Sequence, residues 1–199
     1  MQVHLTNTGP DPCEVAVELP PADRDWSWVH PESCAVAPGQ EAVVAVFFKP
    51  ACGSHPTAGT HTVEIVARAS GDGAASASGQ GTVEVGPWIE AAGVLDPLVA
   101  HDLVSHSYTL NFENRGNVPV RASFKTEDPS GGGIQLDLQP SELVADPGQT
   151  ATATLTAQAR KKLKRGEQRY RICVLATIEG APDLRIEGAF YQQGVKSAR

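Results

Sequence analysis

The chain writes one pattern twice. Asn7-Thr8-Gly9 meets Asn114-Arg115-Gly116 at an offset of 107 residues. His30-Pro31 meets Gln139-Pro140, and Pro38-Gly39 meets Pro147-Gly148, both at an offset of 109. Further on, Ala58-Gly59-Thr60-His61 meets Arg165-Gly166-Glu167-Gln168 at 107 again. So small a drift over four landmarks is what loop-length variation in a duplicated domain produces. A chain of 199 residues written this way must fold as two versions of one unit. Each version has roughly 100 residues, enough for its own core.

Both copies read as β. From Thr150, "TATATLTAQ" alternates strictly, with threonines on one face and Ala151, Ala153, Leu155 and Ala157 on the other. Period two with β-branched residues on one side is a half-buried strand. From Gln168, the same rule turns Tyr170, Ile172, Val174 and Ala176 inward and Arg169, Arg171 and Cys173 outward. The 107 offset then predicts Val63, Ile65, Ala67 and Ala69 inward in the first copy. After the Asn-x-Gly turn, Cys13, Val15, Val17 and Leu19 correspond to Val120, Ala122, Phe124 and Thr126.

Turn chemistry separates these strands. Gly39 and Gly148 follow proline where a tight turn demands positive φ. The asparagine of Asn-x-Gly can bond its own downstream backbone. Strands about 10–15 residues apart, with no amphipathic helix, indicate two tandem immunoglobulin-like antiparallel β-sandwiches. "ARKKLK" alone has helical character and is too short to build a helix. The expected units are 1–86, a sandwich lacking its first strand, and 87–194, the second sandwich, with a tail at 195–199. "GPWIEAAGVLDPLVAHDLVSHSYTL" reads as a short linker followed by the first strand of the second unit. "SGDGAASASGQG" at 70–81 reads as a hairpin tip and "SGGG" at 130–133 as a loop.

The order of cues has a family likeness. It runs from Asn-x-Gly through a strand, Trp26 and Trp28, and "HPESCAVAPGQEAVVAVFF" to "PTAGTHTVEIVA". This resembles the bacterial NEW3-type and related tandem immunoglobulin-like domains. With the basic "RKKLKRGEQRYRI" in the second copy, it is similar to tandem modules in actinobacterial proteins labelled "hydrolytic protein". The resemblance implies the fold and a structural or interaction role. Two departures stand out. The first copy has no room for the strand that the family places before Asn-x-Gly, and the second carries "IQLDLQP" where the first has "WSWVHP". The hydrolytic label does not carry over, because no residue set is present to receive it.

Chemistry-bearing constellations are scarce. A serine triad needs a nucleophile on a constrained turn, a base and an orienting carboxylate, and no Gly-x-Ser-x-Gly is present. His101, Asp102 and His106 form the nearest cluster. On one strand the two histidines would face opposite sides and share no metal. His55 and His61 flank a loop and read as surface residues. No glycine-rich phosphate cradle opens a helix. The expectation is no enzyme, no cofactor and no metal. Cys13, Cys34, Cys52 and Cys173 lack CxxC spacing; reduced, partly buried thiols are the favoured reading, with a Cys34–Cys52 bridge as the other. No apolar run is long enough to span a membrane. The start of the chain does not read as a secretion signal. A cytoplasmic protein and a piece of a surface-anchored parent both fit.

Charge is uneven. Residues 1–86 hold three basic and ten acidic residues, net −7, whereas 87–199 hold 13 of each. That asymmetry favours self-association or an acidic protein partner over nucleic acid. The strongest surface signal is the loop Arg160, Lys161, Lys162, Lys164 and Arg165. Arg121, Lys125, Arg169 and Arg171 point outward on the neighbouring strands, so one positive patch is expected. No aromatic platform interleaves with it, which argues against nucleic acid. In the first copy, Val43, Ala45 and Phe47 occupy positions where the second shows threonines, so an apolar outer face is expected there, covered by the other domain, by the missing N-terminal strand or by a partner. Trp26 and Trp28 alternate and should face one way, as packing or as a sugar-stacking pair. The functional expectation is a non-enzymatic structural and interaction module of a larger bacterial surface or multi-subunit assembly. The alternative is an accessory carbohydrate-binding module of a hydrolase, with a glycan as ligand.

Overall fold

A computed structural model describes residues 1–70 and 75–194; residues 71–74 of the expected hairpin tip and the expected tail at 195–199 lie outside the described residues. The chain divides into two compact units. One is Met1–Cys52 with Ala58–Gly86; the other is Gly53–Thr57 with the chain from Pro87 onward. Each is an immunoglobulin-like β-sandwich, and no α-helix occurs among the described residues.

The first unit contains β1 (Gln2–Thr6), β2 (Cys13–Glu18), β3 (Ser27–His30), β4 (Ser33–Val36), β5 (Glu41–Phe48), β6 (Gly59–Ala69) and β7 (Ser76–Val85). They form a three-stranded sheet in the order β1-β5-β3 and a four-stranded sheet β4-β2-β6-β7. Val17, Leu19, Trp26, Val44, Val46, Val63, Ile65 and Val85 pack between them.

The second unit contains β8 (Ala91–Asp96), β9 (Val99–Asp102), β10 (Ser105–Asn114), β11 (Val120–Glu127), β12 (Ile134–Gln139), β13 (Glu142–Ala145), β14 (Thr150–Ala159), β15 (Glu167–Ile178) and β16 (Leu184–Gln193). Its sheets run β12-β14-β10-β8 and β13-β11-β15-β16-β9, with β9 parallel to β16. β10 to β16 repeat β1 to β7 in order and pairing, whereas β8 and β9 have no counterpart among the described residues of the first unit.

The alternation places side chains as the sequence predicts along most strands. Ala153, Leu155 and Ala157 are buried while Thr150, Thr152 and Thr154 are exposed. Ile172, Val174 and Ala176 point into the core. Gly39 and Gly148 take φ of +69° and +73° in the turns that precede β5 and β14. Each asparagine of Asn-x-Gly accepts a hydrogen bond from the glycine N–H, at 2.8 Å for Asn7 and 2.9 Å for Asn114.

Four local expectations change. Residues 76–81 are not part of a tip: they are strand, laddered against β6 with Gly79 opposite Ile65 and Gly81 opposite Val63. Small residues suit that ladder because its backbone bonds need no side chain. The stretch from Ala91 to Asn114 is three strands, and His101 and His106 lie on different ones. Trp26 and Trp28 face opposite ways. A 3-10 turn at Pro21–Asp23 and the bend after it break the period-two pattern, so Trp26 enters the core and Trp28 lies on the outer face. Cys173 occupies an outward position yet is fully buried, between Glu127 and Glu187 on the adjoining strands.

Candidate functional site

The basic loop connects β14 to β15. Its backbone is held from below by Gln192, itself 1% exposed. The Gln192 amide donates to the carbonyls of Lys161 at 2.9 Å and Leu103 at 3.1 Å, while its Oε1 accepts from the Tyr170 hydroxyl at 3.3 Å. The Gly194 N–H closes the far end by donating to Gly166 O at 2.9 Å. This anchoring leaves Arg160, Lys161, Lys162, Lys164 and Arg165 exposed. None of the five is in an ion pair among the described residues. Gln192 was not legible as an anchor, because a glutamine at an inward strand position has no motif of its own.

The strand arginines do not extend this cluster into one broad patch. Arg171 pairs with Glu187 at 3.4 Å, and Arg185 reaches the same carboxylate at 3.0 Å. Arg169 lies over the Tyr191 ring, 5.7 Å from its centroid, and Tyr191 stacks on His101. Lys125 pairs across the sheet with Leu175, six positions along β15 from Arg169, or roughly 20 Å. Arg121, opposite Val144, is farther still. The patch is therefore the loop with Arg169 at its margin, and the rest of the face is a lattice of mixed charge. Glu187 is held below the usual carboxylate range, chiefly by its hydrogen bond from Arg185. Burial raises the Cys173 thiol above its ordinary value.

The apolar face lies on the outer side of β1-β5-β3. Val43 is 48% exposed and Phe47 45%. Pairing sets Trp28 of β3 opposite Phe47, and the rings stack with centroids 5.5 Å apart and planes 15° from parallel. Trp28 is 49% exposed. The sequence names Val43 and Phe47 but not Trp28 as their neighbour, since that needs the β3–β5 register. Trp28 also borders a cleft of about 420 Å³ shared with Glu18, Arg24 and Glu32.

The remaining chemistry-bearing groups are dispersed. His106 lies 3.5 Å from Asp102, and His101 lies 3.2 Å from Glu167. No group of three or more His, Cys, Asp or Glu side chains converges on a metal-sized site among the described residues. The four cysteines are free thiols: Cys173 buried, Cys13 and Cys34 half-buried, Cys52 exposed. No helix among the described residues is long and apolar enough to cross a membrane.

No family model matches the chain, and no curated protein matches it. Solved structures do. A protein of unknown function from Porphyromonas gingivalis W83 shares 15% identity, covering 96% of this chain and 90% of that one, with a TM-score of 0.33. The Pseudomonas aeruginosa CupB2 chaperone shares 10%, covering 96% and 92%, with a TM-score of 0.37. Domains 4 and 5 of the S-layer protein SbsC share 11%, covering 92% and 72%, with a TM-score of 0.38. At this distance no property of these proteins transfers to the chain.

Proposed function

We propose that the chain is a non-enzymatic structural and interaction module of a larger bacterial surface or multi-subunit assembly, of the NEW3-type tandem immunoglobulin-like kind. The observation that carries this reading is the loop 160–165. Five cations with no ion-pair partner among the described residues are presented on a backbone that a buried glutamine holds in place. Ordering the loop in advance lowers the entropic cost of docking an acidic protein, and the charges raise the rate of encounter. Binding of poly-L-glutamate, measured calorimetrically, tests it. Affinity should fall steeply with salt and drop about tenfold or more in Lys161→Glu/Lys162→Glu/Lys164→Glu. Binding unchanged by that triple reversal would remove the loop from the account.

One observation favours a second reading, an accessory carbohydrate-binding module. Trp28 is exposed beside a cleft that also carries Glu18, Arg24 and Glu32. Against it, the indole stacks on Phe47, which covers one ring face and leaves only the other for a sugar. Calorimetry with soluble glycans decides between them: saturable heat lost in Trp28→Ala would favour the carbohydrate module. Trp26 is unsuitable for the test because it belongs to the core.

A further inference from the structure

The two units differ at one edge. In the second, β10 is hydrogen-bonded on both sides, to β14 and to β8. Its counterpart β1 is bonded only to β5 among the described residues. Burial follows this difference. Leu110 and Phe112 are fully buried, whereas Val3 and Leu5 at the same positions are half-buried. Ala176 and Ile178, opposite Phe124 and Ala122, are buried, whereas Ala67 and Ala69, opposite Val17 and Val15, are half-buried. Between β1 and the β6–β7 hairpin runs a groove of about 580 Å³ over Leu5, Val15, Ala67, Ala69 and Ala77. It continues past Ile65 and Gly79 in a further 230 Å³ or so.

The second unit shows what occupies such a groove. β8 lies antiparallel to β10, with Leu95 opposite Leu110 and Gly93 opposite Phe112. Its approach crosses Gly116, where a Cβ would collide with the Trp88 carbonyl; at Gly9, the counterpart, a Cβ would meet only the Asn7 side chain, at 3.2 Å. The floor is also recut. A Cβ at Gly93 would collide with the Ile186 side chain, which would have to move to admit anything larger than glycine. In the first unit Ile186 and Leu184 are replaced by Gly79 and Ala77, and a Cβ at Gly79 would meet nothing within 4 Å. The position opposite Leu5 thus has room for a large side chain. The groove ends where the Met1 side chain lies over Gly81, as Leu95 lies over Gly188.

We propose that this groove binds an extended segment of another polypeptide, added antiparallel to β1 as a further strand. An unpaired strand edge supplies backbone donors and acceptors, and pockets below it select alternate side chains. The room over Gly79 and Ala77 selects large aliphatic residues. The net charge of −7 over residues 1–86 selects basic flanks. The site is separate from the loop 160–165 and does not depend on its role.

The test uses the whole chain and two synthetic peptides of equal composition, KKTVTITVKK and KKTTVIVTKK, at physiological salt. The alternating peptide should bind saturably, about tenfold tighter than the scrambled one, and slow hydrogen exchange of the β1 amides. Gly79→Ile restores the residue of the second unit and should abolish that preference without lowering the melting temperature. Ala77→Leu should do the same and serves if Gly79→Ile folds poorly. Equal binding of both peptides, no binding up to roughly 1 mM, or binding indifferent to both substitutions would overturn the proposal. So would self-association of the unliganded chain that Gly79→Ile abolishes, which would give the groove to a second copy.

Discussion

The Asn114 side-chain amide donates to the Ala145 carbonyl at 2.8 Å, and Asn7 repeats the bond to Val36 at 2.9 Å. In each unit the same amide also reaches the chain four residues on, Val118 or Asp11, at 2.8 Å. The asparagine backbone is tied to the Pro-Gly turn as well, through Gly148 and Gly39. One side chain therefore fastens the Asn-x-Gly turn to the end of a strand in the opposite sheet.

Asn114→Ala removes the side-chain donor to the buried Ala145 carbonyl and the part-buried Val118 carbonyl, whereas the Gly116 N–H keeps the Glu90 carbonyl at 3.1 Å. A loss of about 2 kcal/mol of unfolding free energy is expected, since each orphaned group costs on the order of 1 kcal/mol. Asn7 is 8% exposed where Asn114 is 0%, so water can partly replace its bonds and Asn7→Ala should cost about half as much. Urea denaturation followed by tryptophan fluorescence checks both. Equal losses would show that burial is not what separates the two copies.

Thiol chemistry should follow burial. Desolvation of Cys173 disfavours its thiolate and raises its pKa, so at pH 8 the nucleophilic form is scarcer than in a free thiol. Cys52 is exposed and should react first with a thiol-specific disulfide reagent. Cys13 and Cys34 should follow, and Cys173 should react only on unfolding. Mass spectrometry of partly labelled protein reads the order directly, and early labelling of Cys173 would contradict the packing around it.

The apolar face makes a prediction about solubility. Val43, Phe47 and Trp28 each expose close to half their surface, so replacing Phe47 removes contact with Trp28 and little core packing. Phe47→Asp should raise solubility and abolish any association through this face. Loss of the exposed stacked pair should cost about 1 kcal/mol of stability. Light scattering over a concentration series, paired with thermal denaturation, measures both effects. If solubility, stability and oligomeric state are all unchanged, the face has no docking role.

Much of this architecture was legible because backbone requirements write themselves into residue types. Positive φ at Gly39 and Gly148, the Asn7 and Asn114 brackets, and the alternation along "TATATLTAQ" each need particular residues at fixed spacing. Other features depend on partners remote in sequence. The turn between β9 and β10 at Leu103-Val104 carries no Gly or Pro, so Ala91–Asn114 reads as fewer strands than it forms. Trp26 turns inward because a 3-10 turn displaces the strand register, which alternation alone does not show. Part of the expected positive patch dissolved because Glu187, sixteen residues from Arg171, sits beside it on the next strand. The groove over Gly79 is written as the absence of an isoleucine, and only the paired copy gives that absence a meaning.

That glutamate should leave a signature in acid. Glu187 accepts a hydrogen bond from Arg185 and feels the charge of Arg171, and its carboxylate is held below the ordinary value of 4.5. A carboxyl whose folded pKa is depressed adds stability above its unfolded pKa and loses it as pH falls through the folded one. The contribution should therefore be complete at neutral pH and fade over the acid range, as pH falls from the ordinary carboxylate value of 4.5 through the lower folded one. The side chain is half exposed, so solvent screening keeps the effect small. Denaturation of the native chain and of Glu187→Gln across that range should give curves that converge as pH drops, because the native carboxyl becomes neutral like the amide. Arg185 and Arg171 lose the same partner in either case, so parallel curves would mean that the ion pairs around Glu187 do not stabilise the fold.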